Sequence, residues 1–484
     1  MVSKLAGQAL VKSWGTSGAP RLVVAGSGIS GLAAAVTAKQ KADDEGLNLQ
    51  VELVEAGSRA GGLIRSEWFH DCLLEHGPDA VLRTKPAAEV LCRRIGLDGE
   101  LEIPQPGRGF FVLHRGNITP LPEGFRMVVP TRLGPLFKSR LFSPLAAMRL
   151  CLEPFIPSRR SETEESLGAF VRRRLGKQVL DRVVQPMLSS IYLGDADRLS
   201  ANLVLPQLTG LVRQYGSLSK GFKKAPASKG PVFFTLKGGM QRLADVLGER
   251  LKGHIHTGFT VERLSRNQRG GWTLHSREGQ SIQADQVVVA TPAHISSAVL
   301  RPSAPDLARK LAEIDHASCI TYHLIYPRRL VDHPLDINGF FVPQSERQPF
   351  LAAMSIGTKY PCRVPDHLAA IRVFVGGIRQ QEWLEKDPDS LAWTIHKALA
   401  PILGLRGKPS GIHLAQHPLA MPQLNVGMQA RLKAMAQDLE TLPGLHLAGG
   451  ALGAVGLPAC IQSGETAAEL VLASIRKSSL APAG

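Results

Sequence analysis

No run of apolar residues in this chain of 484 residues approaches the roughly 20 that a membrane-crossing helix needs. Residues 1–20 carry Lys4 and Lys12 but no continuous apolar segment and no arginine, so they are expected to form a loose extension rather than a leader. The six cysteines, Cys72, Cys92, Cys151, Cys319, Cys362 and Cys460, are scattered without a C-x-x-C pair. That excludes a recognisable zinc or disulfide framework and fits a reducing cytoplasm. Acids are scarce: 41 stand against 57 Lys and Arg, a net charge of +16. An anionic partner is therefore a question, yet no helix-turn-helix, zinc finger or aromatic RNP-type motif accompanies the charge, which argues against nucleic acid.

The basic excess is concentrated. Between residues 126 and 177 eleven bases face four acids. Arg132, Lys138, Arg140 and Arg149 there alternate with Phe137, Leu141, Phe142 and Leu145. Such a segment suits peripheral contact with anionic lipid, on the inner face of a cell membrane, or equally a core-packed helix pair with a solvated basic face. An apolar content of 44% and a charged content of 20% are those of an ordinary globular protein. The length implies two or three domains.

What is present begins at Leu22-Val23-Val24-Ala25, followed by Gly26-Ser27-Gly28-Ile29-Ser30-Gly31, and then by Val51-Glu52-Leu53-Val54-Glu55. Strand, glycine turn, helix, strand and acid is the order of a dinucleotide-binding fold. Gly26 permits the tight turn, Gly28 lets backbone approach a pyrophosphate, and Gly31 lets the helix over 29–39 lie close to the strand. The helix N-terminus then faces the phosphates. Glu55, at the tip of the second strand, is placed to accept from the adenosine ribose hydroxyls.

Ala56 then leads into Arg59, Gly61, Gly62 and Ser66, an E-x-x-x-R-x-G-G-x-x-x-S run that nicotinamide enzymes do not need. It resembles the signature of the flavin amine oxidase, carotenoid desaturase and protoporphyrinogen oxidase superfamily, which implies FAD with Arg59, Gly61 and Gly62 along its pyrophosphate. Near the other end, Leu445-His446-Leu447-Ala448-Gly449-Gly450 reads as a strand ending in small residues, and Val455-Gly456-Leu457-Pro458-Ala459-Cys460 opens a helix to about residue 475. Its first amides would point at the flavin ring and favour the reduced, anionic state.

Further segments narrow the likeness: Glu75-His76-Gly77-Pro78-Asp79, residues 166–176, residues 185–200 and Leu419-Ala420-Met421-Pro422-Gln423-Leu424-Asn425. With them the chain resembles the bacterial FAD-dependent protoporphyrinogen and coproporphyrinogen III oxidases over most of 21–475. The resemblance implies oxidation of protoporphyrinogen IX to protoporphyrin IX with O2 as acceptor, in heme biosynthesis, the alternative being coproporphyrinogen III. It also implies Gly77, Pro78, Val261, Val455, Gly456 and Leu457 beside FAD. A flat apolar slot would be lined by Met187, Ser190, Tyr192, Phe341 and Tyr360, with Arg108 as a carboxylate anchor near Phe110. No catalytic acid or base and no metal is expected, because the meso carbon is activated by its own pyrroles. His417 stands where such enzymes often carry Trp. The competing readings are an amine oxidase or desaturase relative, for which Cys460 would be the residue linked to flavin, and a non-catalytic flavin-binding carrier.

The expected fold is α/β: a doubly wound FAD-binding domain from the discontinuous segments 20–95, 228–300 and 440–478, a helical, membrane-contacting insertion over 96–227, and a substrate-binding sheet domain over 301–439. One helix is expected over 166–183, a Gly/Lys-rich linker over 220–230, and second-sheet strands within 318–326, 339–343 and 371–376. Oligomeric state is left open.

Overall fold

The computed structural model describes residues 18–107, 109–126, 128–157, 163–224 and 230–480. Five parallel strands form the nucleotide sheet, in the spatial order Ile255–Thr257, Gln50–Glu55, Arg21–Ala25, Gln286–Val289, Leu445–Leu447. Leu22, Val23, Val24, Val287, Val288 and Val289 are all fully buried, as befits strands covered on both faces. Helices Ile29–Asp44 and Leu457–Leu480 lie side by side against this sheet. Their closeness has a visible cause: a Cβ added to Gly464 would sit 2.2 Å from the Ser30 carbonyl oxygen. Parallel strands put all their C-terminal ends at one edge, and that edge is where doubly wound sheets bind ligands.

The second sheet has seven strands, ordered Gly411–Pro422, His316–Pro327, Leu368–Gly376, Ala352–Ser355, Gly339–Phe341, Phe111–His114, Asn117–Pro120. It is mixed, because Gly339–Phe341 pairs in parallel with Phe111–His114. One expectation changes here: residues 111–120 belong to this sheet rather than to a helical insertion beginning at 96. The long edge strand Gly411–Pro422, of which only the end at Leu419–Pro422 was singled out by its motif, was not expected. Its exposed and half-buried alternation hid it from a search for apolar runs.

The helix expected over 166–183 is interrupted. Leu167–Leu175 starts on the Ser166 side-chain cap and stops at Gly176, whose φ of +88° leaves the helical region. The chain then forms a wider turn over Leu180–Val184 before the helix Gln185–Ile191. Pro186 explains the widening, since it has no N–H to return to the preceding turn. The linker expected over 220–230 begins inside the helix Leu218–Lys224, and 225–229 lie outside the described residues.

In the basic segment the structure redistributes the apolar residues. Leu141 and Phe142 are buried in the helical core, and the Arg149 guanidinium donates to the Arg173 carbonyl at 2.5 Å. Phe137, Leu145, Met148, Leu152 and Phe155 are exposed, the last at 81%. No helix of the described residues is long and apolar enough to cross a membrane.

Candidate active site

The glycine turn is built as tightly as its spacing requires. Gly26 has φ +100°, and a Cβ there would press on the Ala290 carbonyl at 3.2 Å. At Gly31 a Cβ would fall 1.9 Å from the Gly26 carbonyl oxygen, so only glycine permits this crossing of helix and strand. Gly28 is the opposite case, because a Cβ there meets nothing within 4 Å. The helix beginning at Ile29 and Ser30 has no side-chain cap and no acid in its first turn. An uncapped helix start with open space at Gly28 fits a pyrophosphate.

Around this turn the second motif folds back. Gly61 donates its N–H to the Ser27 carbonyl at 2.9 Å, and a Cβ on Gly62 would lie 3.0 Å from the Gly28 Cα. Arg59, expected along the pyrophosphate, turns its guanidinium onto its own loop. Its guanidinium donates to the carbonyls of Ala60, Ile64 and Gly62 at 2.8–3.0 Å and so braces the loop that carries the paired glycines. Glu55 accepts from the Ser27 N–H at 2.9 Å, the Ser27 hydroxyl at 2.6 Å and the Gly57 N–H at 2.8 Å, while Ala56 is exposed. These bonds leave lone pairs of the carboxylate for a ribose. Glu55→Ala is expected to weaken FAD binding by about 1–3 kcal/mol, through lost ribose contacts and a loosened Ser27 turn. Titration of the apoprotein with FAD checks this, and unchanged affinity would assign Glu55 to the turn alone.

Gly77 closes the floor: a Cβ there would fall 2.2 Å from the Leu63 carbonyl oxygen, so this loop and the paired-glycine loop meet backbone to backbone with Pro78 beside them. The Phe259 N–H donates to the Glu55 carbonyl at 2.9 Å, which brings the start of the Val261–Arg266 strand to the acid. Val455 and Gly456 precede the Leu457–Leu480 helix, whose first turn sends the Cys460 N–H to the Gly456 carbonyl. The Cys460 thiol donates weakly to the Ala454 carbonyl, and burial pushes its pKa up. A thiol so held is a poor nucleophile toward flavin.

The largest feature that sequence reasoning missed is a buried polar network behind Glu75 and Asp79. Glu75 accepts from the Ser66 hydroxyl, the Met240 N–H and the Arg363 guanidinium, the last at 2.8 Å with both side chains 3% exposed. Burial pushes its carboxyl above the ordinary range against the pull of Arg363. Asp79 accepts from Lys359 at 2.7 Å and from the Tyr360 phenol at 2.9 Å. Burial opposes its charge too, but Lys359 and Arg372 outweigh that and hold the carboxyl well below its usual range. Arg372 also donates to the Gly77 carbonyl at 2.5 Å, and His417 contacts the His76 carbonyl at 2.9 Å. The seven-stranded sheet and its connections thus grip the loop that lies against the paired glycines. Lys359, Arg363 and Arg372 follow Asp79 by more than 270 residues, so no local pattern announces them.

The substrate side divides. Ser190 donates to the Leu351 carbonyl at 3.2 Å, tying its helix to the strand end beside Phe341, which is in register with Ala352. Met187 is on the same short helix, and Phe341 stacks with the exposed Phe110 at 6.3 Å between ring centroids. Tyr360 is 1% exposed with its phenol committed to Asp79. It is therefore a structural member of the buried network and not a slot wall. Tyr192 points its hydroxyl to the Val204 carbonyl at 3.4 Å and packs into the helical core. Arg108 lies outside the described residues.

A family profile described as flavin containing amine oxidoreductase matches residues 29–472. The chain belongs to that family. It is an FAD-dependent oxidase. It is 28% identical to a coproporphyrinogen III oxidase of Bacillus subtilis strain 168, over 93% of this chain and 98% of that one. A coproporphyrinogen III oxidase of Propionibacterium freudenreichii is 30% identical over 93% of this chain and 90% of its own length. A crystal structure from Exiguobacterium sp. 255-15, provisionally named a protoporphyrinogen oxidase, superposes with a TM-score of 0.85 at 27% identity, covering 96% of this chain and all of that one.

Proposed function

We propose that this oxidase converts a porphyrinogen to the corresponding porphyrin, with coproporphyrinogen III as its substrate. The observation that carries the reading is the similarity to two coproporphyrinogen III oxidases over nearly the whole of each chain. Bound FAD would supply the two-electron oxidation, used three times for the six hydrogens lost, with O2 taking each electron pair to peroxide. The remaining tasks are physical. Met187 and the Phe110–Phe341 stack offer apolar surface to a macrocycle, and Ser190 fixes the helix that carries Met187. The substrate's own pyrroles activate the meso C–H bonds, so positioning matters more than an acid or base.

A second reading, protoporphyrinogen IX, is favoured by the apolar Phe110–Phe341 rim, which suits a substrate with fewer carboxylates. Porphyrin fluorescence with each porphyrinogen, compared as kcat/KM, separates the two. Coproporphyrinogen III is expected to lead by about tenfold, the worth of one additional carboxylate contact of about 1.4 kcal/mol. A reversed preference selects the second reading, and no fluorescence from either would remove porphyrinogen chemistry altogether.

We also propose peripheral attachment to the cytoplasmic face of an anionic membrane through the exposed apolar residues Leu133, Phe137, Leu145, Met148, Leu152 and Phe155. Arg132, Lys138 and Arg140 are exposed among them. Each base near such a surface contributes about 1 kcal/mol, so attachment is expected to be reversible and to weaken with salt. Cosedimentation with anionic vesicles at low and high salt measures it. Absence of binding at low salt would leave these side chains as ordinary surface.

A further inference from the structure

Outside the flavin and substrate residues, one cluster of side chains has no part in what has been described. Glu67 stands on the hairpin strand Ser66–Phe69, and His76 follows the paired strand Cys72–Glu75. His413 comes from Gly411–Pro422, the edge strand of the seven-stranded sheet. The hairpin rests on that sheet closely enough that a Cβ on Gly411 would touch the His70 and Phe69 rings at 2.9 Å. The Glu67 carboxylate lies 3.1 Å from His76 Nε2 and 3.8 Å from His413 Nε2. One donor atom from each of the three residues falls within 4.8 Å of the others.

The contacts are close without being ordinary hydrogen bonds. His76 Nε2, the nitrogen that faces Glu67, is buried and has no hydrogen-bond partner among the described residues. The two rings face each other at 4.8 Å, tilted by 48°, and the fully buried His323 lies behind at 6.0 Å from His413. Two imidazoles and a carboxylate from three strands are a donor set for a divalent ion of the zinc type. Zinc–nitrogen and zinc–oxygen bonds of about 2.1 Å in a tetrahedron put donors roughly 3.4 Å apart, which the observed 3.1 and 3.8 Å bracket.

We propose that Glu67, His76 and His413 bind a zinc-type divalent cation that pins the hairpin to the edge of the substrate sheet. His76 immediately precedes Gly77, so the ion would brace the loop that closes the flavin floor. A fourth position is open to water, because Glu67 is 35% exposed. Arg65, 3.1 Å from Glu67, is the rival for the carboxylate. If it alone satisfies Glu67, no metal binds.

The FAD-loaded full-length protein, stripped with chelator and dialysed against micromolar Zn2+, is expected to retain one equivalent and to gain thermal stability on loading. Glu67→Gln and His413→Ala should each weaken Zn2+ binding by about 100-fold or more and abolish the thermal gain while keeping the flavin. His413→Cys should keep it, and its Co2+ form should acquire a thiolate charge-transfer band. Failure of the wild type to take up zinc, or uptake unchanged in Glu67→Gln and His413→Ala, as binding at the free cysteines would give, overturns the proposal. If His413→Ala loses its flavin, His413→Cys decides: a Co2+ spectrum without the thiolate band refutes it.

Discussion

Gly31→Ala is expected to yield protein without bound flavin. The added methyl would fall 1.9 Å from the Gly26 carbonyl oxygen, and that oxygen belongs to backbone which cannot rotate away. Relief requires the Ile29–Asp44 helix to lift from the Arg21–Ala25 strand, yet the helix is held on its other side by the close approach of Gly464. Overpacking of this kind costs about 1–3 kcal/mol even where side chains can give, and here none can. Gly28→Ala is the control, since its Cβ has open space. Its apoprotein should melt like the wild-type apoprotein while FAD affinity is lost, by intrusion where the pyrophosphate approaches. The ratio of flavin to protein absorbance, with thermal melts of both variants, makes the comparison. A fully flavinated Gly31→Ala would show that the crossing is looser than these distances state.

Arg363→Met is expected to be the most destabilising substitution outside the nucleotide turn. It leaves Glu75 buried with only the Ser66 hydroxyl and the Met240 N–H as partners, and breaking one side of a buried ion pair costs about 3–5 kcal/mol. The loss should depend on pH in a definite direction. Burial already raises the Glu75 pKa, and without Arg363 it rises further above the unfolded value near 4.3. A carboxyl whose folded pKa is the higher one stabilises the protein below the unfolded pKa, and that stabilisation is lost as pH rises through the folded value. The deficit of Arg363→Met should therefore shrink toward acid pH, and Glu75→Gln/Arg363→Met should recover much of it at neutral pH. Urea unfolding of the wild type and the two variants at two pH values tests this. Equal deficits at both would mean that Glu75 finds another cation.

Short-range signals explain what was legible in advance. The glycine turn, the Glu55 acid and the paired glycines are each local to the backbone they shape, and the structure brings them into one constellation. The motif singles out Arg59, but its contacts with the carbonyls of Ala60, Gly62 and Ile64 are set by how the loop folds and leave no trace in the sequence. Tyr360 is a related case: an aromatic residue reads alike whether it lines a slot or seals a core, and only Asp79 beneath its phenol decides. The interruption at Gly176 and Pro186 was visible in composition but was outvoted by the apolar spacing around it.

The sequence by itself determined the nucleotide fold, the cofactor and the family, because those rest on residues close in the chain whose backbone demands are strict. Only the tertiary structure decided which cations hold Glu75 and Asp79, that Leu141 and Phe142 are core while Phe137 and Phe155 are surface, and that Glu67, His76 and His413 meet. Each of these depends on strands or helices far apart in sequence packing face to face. Contact across such distances is set by the register and twist of two whole sheets, and no window along the chain contains both partners.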